Sequence, residues 1–261
     1  MNAGQLPEHL SYSSVSTYMQ CSLKWRFHYV DRLEPEFTPS ALLFGQAIHE
    51  AIGAFLQSTL NGDRLTADNL LDVYRQIWIS HEGPSIRYGA RDSEDALLTK
   101  AEGLLSLFHE QHDPSSEVIA VEEAFELDLQ ELVPDYPHKL PHHIGVVDSI
   151  QKQNGVTSLI DYKTAARKPN GSVNAMQLVA YSIGAAGLGY DPNELDYRYE
   201  YLVKTAKPQL VSYPVKVNDR DRRRFLKMAT RVWKAVQGAI FYPNPSFFCS
   251  GCGFQRHCNE W

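Results

Sequence analysis

A chain of 261 residues is long for one small domain and short for two, and it can enclose a sizeable core. Its 43% hydrophobic and 21% charged residues are the balance of a globular protein, which excludes extensive disorder. A formal net charge of -6 gives no global attraction to nucleic acid, so any such contact has to rest on a local basic patch.

Met1 to Pro7 lacks the basic and apolar regions of a signal peptide, and no apolar run approaches bilayer length, so a cytoplasmic location is expected. Ser11 to Val30 reads as one helix that carries Tyr18, Trp25, Phe27 and Tyr29 and ends before Pro35 and Pro39. Leu43 to Leu60 places Phe44, Ala47, Ile48, Ala51, Ile52 and Phe55 at helical spacing, with Asn61-Gly62 as the stop. Leu65 to His112 is again helical, interrupted near Gly83-Pro84. The period then changes to two over Val118 to Leu129 and His143 to Tyr162. A helix is expected over Val173 to Gly187, strands over Asp196 to Lys204 and Gln209 to Val217, and a last helix over Asp219 to Phe241. The order implies an α/β or α+β core with a helical N-terminal layer and a cysteine-rich tail.

The most informative stretch is His143 to Lys163, where two strand-like runs flank Asn154-Gly155, the strongest short signal for a two-residue hairpin. With that turn, Gln153 faces Val156, and counting outward sets Asp148 opposite Asp161. Directly opposed side chains have Cβ atoms about 5 Å apart, where like charges destabilise a sheet. A divalent cation between the carboxylates resolves the conflict. Lys163 points to the same face as Asp161. The alternative is a solvated strand face with Lys163 in a weak surface ion pair. The apolar neighbours Val146, Val147, Leu159 and Ile160 argue against it, because they mark a buried strand whose carboxylates need partners.

Gly145-Val146-Val147-Asp148 followed by Asp161-Tyr162-Lys163 resembles the split catalytic motif of the PD-(D/E)XK nuclease superfamily, in its RecB-like exonuclease branch. Phe44 to His49 resembles the branch's Gly-x-x-x-His helix, and Gln177 to Tyr181 its Gln-x-x-x-Tyr helix. Leu10 to Phe27 resembles its N-terminal segment, with Ser22 where proline is usual, and Val121-Glu122 through Leu129 resembles the strand before the hairpin. The resemblance implies a restriction-endonuclease-like core in which a mixed sheet is flanked by helices, all in one nuclease domain over 1–261. Its helical part would span 1–112 and its core 117–241, and a tail over 242–261 would close onto Cys21. It also implies Mg²⁺ or Mn²⁺ held by Asp148, Asp161, His49 and the Tyr162 carbonyl, with Lys163 acting on the attacking water and Gln177 and Tyr181 positioning the strand.

Cys249, Cys252 and Cys258 form a Cys-x-x-Cys-x-x-x-x-x-Cys run, and Cys21 is the one other cysteine. Four thiolates make one complete site, suited to zinc or an iron–sulfur cluster, while two disulfides are disfavoured in a reducing compartment. The one-plus-three spacing resembles the 4Fe-4S staple of CRISPR-associated RecB-like exonucleases and AddB-type nuclease domains. Closing so long a loop would contribute about 5 kcal/mol on a cross-link entropy model.

The last helix carries Arg222, Arg223, Arg224, Lys227 and Arg231, a stripe able to track phosphates, as are Lys24 and Arg26. Tyr12, Trp25 and Tyr88 are candidate stacking platforms for unpaired bases. The expected function is metal-dependent exonucleolytic cleavage of single-stranded DNA or DNA ends in recombination, repair or CRISPR spacer processing. The alternatives are a catalytically silent DNA-binding or assembly module of a nuclease complex, and a zinc-stapled nuclease domain of a helicase–nuclease machine whose motor is another chain.

Overall fold

The computed structural model of the chain describes residues 6–137, 139–171 and 173–261. Strand β1 (His9–Leu10) leads into α1 (Tyr12–Gln20) and α2 (Ser22–Tyr29). After them come β2 (Thr38–Pro39), α3 (Ser40–Leu60), α4 (Ala67–Ile79), β3 (Ile86–Arg87) and α5 (Glu94–Gln111). The second half runs β4 (Glu117–Asp128), α6 (Leu129–Leu132), β5 (His142–Gln153), β6 (Val156–Ala165), α7 (Met176–Gly187), β7 (Asp196–Val203), β8 (Gln209–Val215) and α8 (Asp219–Gln237). A 3₁₀ turn (Phe247–Gly251) and α9 (Gln255–Asn259) close the chain. Among the described residues no helix is long and apolar enough to cross a membrane.

The predicted single helix from Ser11 to Val30 is two. Cys21 is extended, at φ -161° and ψ 108°, and serves as C-cap of α1 and N-cap of α2. What holds the break is the segment after α8: the Ser22 hydroxyl donates to the Tyr242 carbonyl (3.1 Å) and accepts from the Tyr242 N–H (2.9 Å), while Leu23 N–H donates to the same carbonyl. A long-range contact therefore overrides a continuous helical pattern.

The hairpin between β5 and β6 forms as its turn residues dictate. Asn154 and Gly155 both have positive φ (51° and 82°), the requirement of a type I′ turn, and the ladder begins at Gln153–Val156. It runs only to Ser149–Ile160. Beyond that pair the strands part: β5 continues along β4 as far as His142, and β6 continues along β7 to Ala165–Val203. The edge of β5 released by β6 is taken up again by β1, at His142 and His143. The resulting fork is flanked by two helical layers. On one face α3, α4 and α5 bury Phe44, Ile48 and Phe108 against Val118, Ile160, Tyr162 and Leu202. On the other, α7 lays Leu178 and Ala185 over Ile150 and Leu159, and α1, α2 and α8 complete that side around Trp25 and Phe225.

Candidate active site

Continuing the register one step past Ser149–Ile160 brings Asp148 level with Asp161, at the point where the ladder stops. Asp148 Oδ2 accepts the Tyr162 N–H at 2.8 Å, so the side chain replaces a ladder bond that the parting strands give up. The same oxygen lies 2.8 Å from His49 Nε2, which reaches the fork from α3. Asp161 is fully buried, and neither of its carboxylate oxygens accepts a hydrogen bond. Its charge partner is Lys163, whose Nζ stands 2.5 Å from Oδ2, off the hydrogen-bonding direction. Burial and the neighbouring Asp148 charge push the Asp161 carboxyl up to about 7, against the pull of Lys163. The hydrogen bond to Asp148 holds His49 above the usual imidazole range.

The other face of the fork adds Gln177 and Tyr181 from α7, with Gln177 Nε2 donating to Tyr181 Oη at 2.8 Å. Both line one cleft with Asp148, Lys163, His49, Tyr12 and the Ser11–Ser13 start of α1. A second cleft, walled by Gln46, Glu50 and Thr164, meets the first at His49 and Lys163. The Ser11 and Ser13 hydroxyls, 2.8 Å apart at the N-terminus of α1, were not singled out by sequence; an N-cap serine is too common a signal. In the sequence Glu122 reads only as part of a strand, yet its Oε1 is 3.7 Å from His49 Nδ1.

Lys24, Arg26 and Trp25 stand elsewhere. Lys24 lines the cavity at the cysteines, and Arg26 is paired with Asp31 at 3.0 Å. Trp25 has no exposed surface and donates its Nε1–H to Ser14 Oγ (2.8 Å), so it is a core residue and not a stacking platform. Arg222 also leaves the predicted basic stripe: it is buried, with its guanidinium held by Asp219 at 2.6 Å and by Asn193. Arg223, Arg224, Lys227 and Arg231 are exposed as expected, and Tyr88 is at the surface.

All four cysteines are free thiols that line one cavity of about 220 Å³, between α2 and the tail. Burial and then the other three cysteines raise the Cys258 thiol above its ordinary value. Leu23, Phe27 and Phe254 pack behind them. Among the described residues no group of three or more His, Cys, Asp or Glu side chains is drawn into a ready metal-ligand shell, here or at the fork. At the fork the polar atoms are engaged with one another: Asp148 with His49, and Asp161 with Lys163.

A forked mixed sheet between helical layers, with an Asp…Asp-x-Lys set where the strands part, is the architecture of a restriction-endonuclease-like nuclease. The chain belongs to the PD-(D/E)XK nuclease superfamily, whose family model matches residues 9–259. A solved chain from Eubacterium rectale, provisionally described as an exonuclease, is similar in fold. It shares 16% identity, 96% of this chain covers 88% of that one, and the TM-score is 0.54. A solved chain named SSO0001 shares 14% identity over 94% of each chain, at a TM-score of 0.37 that carries no structural weight. No curated protein matches the chain.

Proposed function

We propose that this chain is a Mg²⁺- or Mn²⁺-dependent DNA exonuclease, acting on single strands or DNA ends in recombination, repair or CRISPR spacer processing. The observation that carries the reading is Asp161: a carboxylate with no exposed surface, paired with Lys163, that lies beside a second carboxylate. Two neighbouring carboxylates are costly to bury in their charged forms, and a hard divalent cation is the partner such an oxygen pair fits. Asp148, Asp161, His49 and the Tyr162 carbonyl would hold the ion. When bound, it polarises the phosphate and makes water a better nucleophile.

The side chains of the fork do the rest. Lys163, tethered as an ammonium by Asp161, orients the attacking water and offsets charge gathering on the phosphate. Asp148 fixes the edge of β6 through the Tyr162 N–H and thereby the direction of Lys163 one residue later. Gln177 and Tyr181 line the approach as a hydrogen-bonded pair, and the amino end of α1 presents hydroxyls and backbone N–H groups to a phosphate of the strand. Lys24 and Arg26 touch DNA, on this reading, beyond the cleft.

The four thiols around one cavity support a 4Fe-4S cluster in a structural role, with zinc as the competing occupant. The cluster would tie residues 242–261 to Cys21 and complete one nuclease domain over 1–261, in a reducing cytoplasm. The test of activity is degradation of end-labelled single-stranded DNA with and without Mn²⁺, beside Asp161→Ala and Lys163→Ala. Wild type should cut only with metal and neither variant should cut. Binding without cutting under any metal would replace the enzyme with a silent docking module.

A further inference from the structure

Glu122 adopts a left-handed backbone conformation (φ 49°) in the interior of β4, a few residues after the ladder with β5 shifts register between Val118 and Ala120. The flanking pairs Val121–Ser149 and Glu123–Val147 keep one register, which puts Glu122 opposite Asp148. An L-residue other than glycine, asparagine or aspartate is strained there, and such strain persists only where the surroundings impose it. Its cause is not a glycine-like turn, because the chain runs on as strand on both sides. At this position the Glu122 carboxylate faces α3, with Oε1 3.7 Å from His49 Nδ1. The helix makes room for it at Gly53, where an added Cβ would meet that oxygen at 3.0 Å. His49 is thus spanned by two carboxylates, Asp148 on Nε2 at 2.8 Å and Glu122 on the Nδ1 side.

From this geometry we infer that Glu122 is a positioning residue that acts through His49. Its carboxylate takes the Nδ1–H after a small closing movement, which fixes the imidazole tautomer with the Nε2 lone pair aimed at the fork. A metal-binding histidine with its other nitrogen held by a carboxylate is better oriented and more basic. Glu122 itself stays outside the ligand set. The inference rests on the proposed reading of the fork as a cation site.

The test is Mn²⁺ binding to the full chain by titration calorimetry and electron paramagnetic resonance, in wild type, Glu122→Gln, Glu122→Ala, Glu122→Gly and His49→Ala. Loss of a carboxylate that holds a metal-binding histidine by its other nitrogen lowers metal affinity roughly 10- to 100-fold. Glu122→Ala and Glu122→Gly are expected to fall in that range, and Glu122→Gln, which still accepts from Nδ1–H, to recover part of the loss. Glu122→Gly also relieves the backbone strain, so it should melt at or above the wild-type temperature while binding Mn²⁺ more weakly. A merely structural residue would not separate those two readouts. On a His49→Ala background, replacing Glu122 should change affinity no further. The inference is overturned if wild type binds Mn²⁺, His49→Ala binds it weakly, and the Glu122 variants bind as wild type. Failure of wild type itself to bind Mn²⁺ overturns the reading of the fork instead.

Discussion

Phe125 and Gly145 are cross-strand partners on β4 and β5, and the phenyl ring lies over the glycine. A Cβ added at Gly145 would stand 2.5 Å from Phe125 Cζ, and one added at Gly184 on α7 would stand 2.4 Å from Cδ1. The ring is thus clamped between strand and helix, with 5% of its surface exposed, and neither side lets it retreat. Gly145→Ala should therefore overpack the core at a cost of about 1–3 kcal/mol. For a chain of this size each kcal/mol lowers the melting temperature by roughly 2–4 °C, so a fall between about 2 and 12 °C is expected by calorimetry or circular dichroism. Phe125→Ala alone removes the ring and should cost about 3–5 kcal/mol. On that background Gly145→Ala should cost almost nothing, because the colliding atoms are gone. The strong positive coupling in this double-mutant cycle is the diagnostic quantity. Gly145→Ala melting like wild type, or losing as much without Phe125 as with it, would refute the clamp. Because Tyr181 meets the same ring edge-on at 6.2 Å, Gly184→Ala should also depress nuclease activity.

Asp161→Asn should abolish cleavage yet stabilise the metal-free protein. The folded state holds the Asp161 proton up to about 7 while the unfolded chain releases it near 3.8, so this group's contribution falls as pH rises through that window. In chelator, the variant's advantage in urea melts should be absent near pH 4 and largest above pH 7; an advantage independent of pH would argue against a buried, reluctant carboxylate. Mn²⁺ should raise the melting temperature of wild type and leave Asp161→Asn unmoved, since a ligand stabilises only the state that binds it. Cys258→Ser, prepared without oxygen, should lose visible iron–sulfur absorption and melt earlier than wild type; a colourless wild type containing bound zinc would transfer the site to zinc. Replacing Arg223, Lys227 and Arg231 with Glu should weaken DNA binding and flatten its salt dependence, whereas unchanged binding would remove the exposed face of α8 from the interface.

The fork was legible because its signals are local. Asn154-Gly155 fixes the hairpin register, and register alone puts Asp148 level with Asp161. The places of His49, Gln177 and Tyr181 came from resemblance, and helical spacing kept Gln177 and Tyr181 on one face of α7. What escaped depends on distant partners. The break at Cys21 is imposed by Tyr242, over two hundred residues later in the chain, and nothing in Ser11 to Val30 announces it. Trp25 and Arg222 read as surface residues because an aromatic residue and a guanidinium have the same letters inside and outside; Ser14, Asp219 and Asn193 decide the matter. The strain at Glu122 is invisible in a strand of ordinary composition. Strands β1 and β2 are two residues long, too short for a period to show.

The central claim is that the crotch of the β5–β6 fork binds the catalytic cation. Crystals of the full chain soaked in Mn²⁺ and measured at an anomalous wavelength test it most directly. A peak is expected within coordinating reach of Asp148, Asp161, His49 Nε2 and the Tyr162 carbonyl, and it should vanish in Asp161→Asn. Manganese bound elsewhere, with Asp161 still facing only Lys163, would contradict the claim.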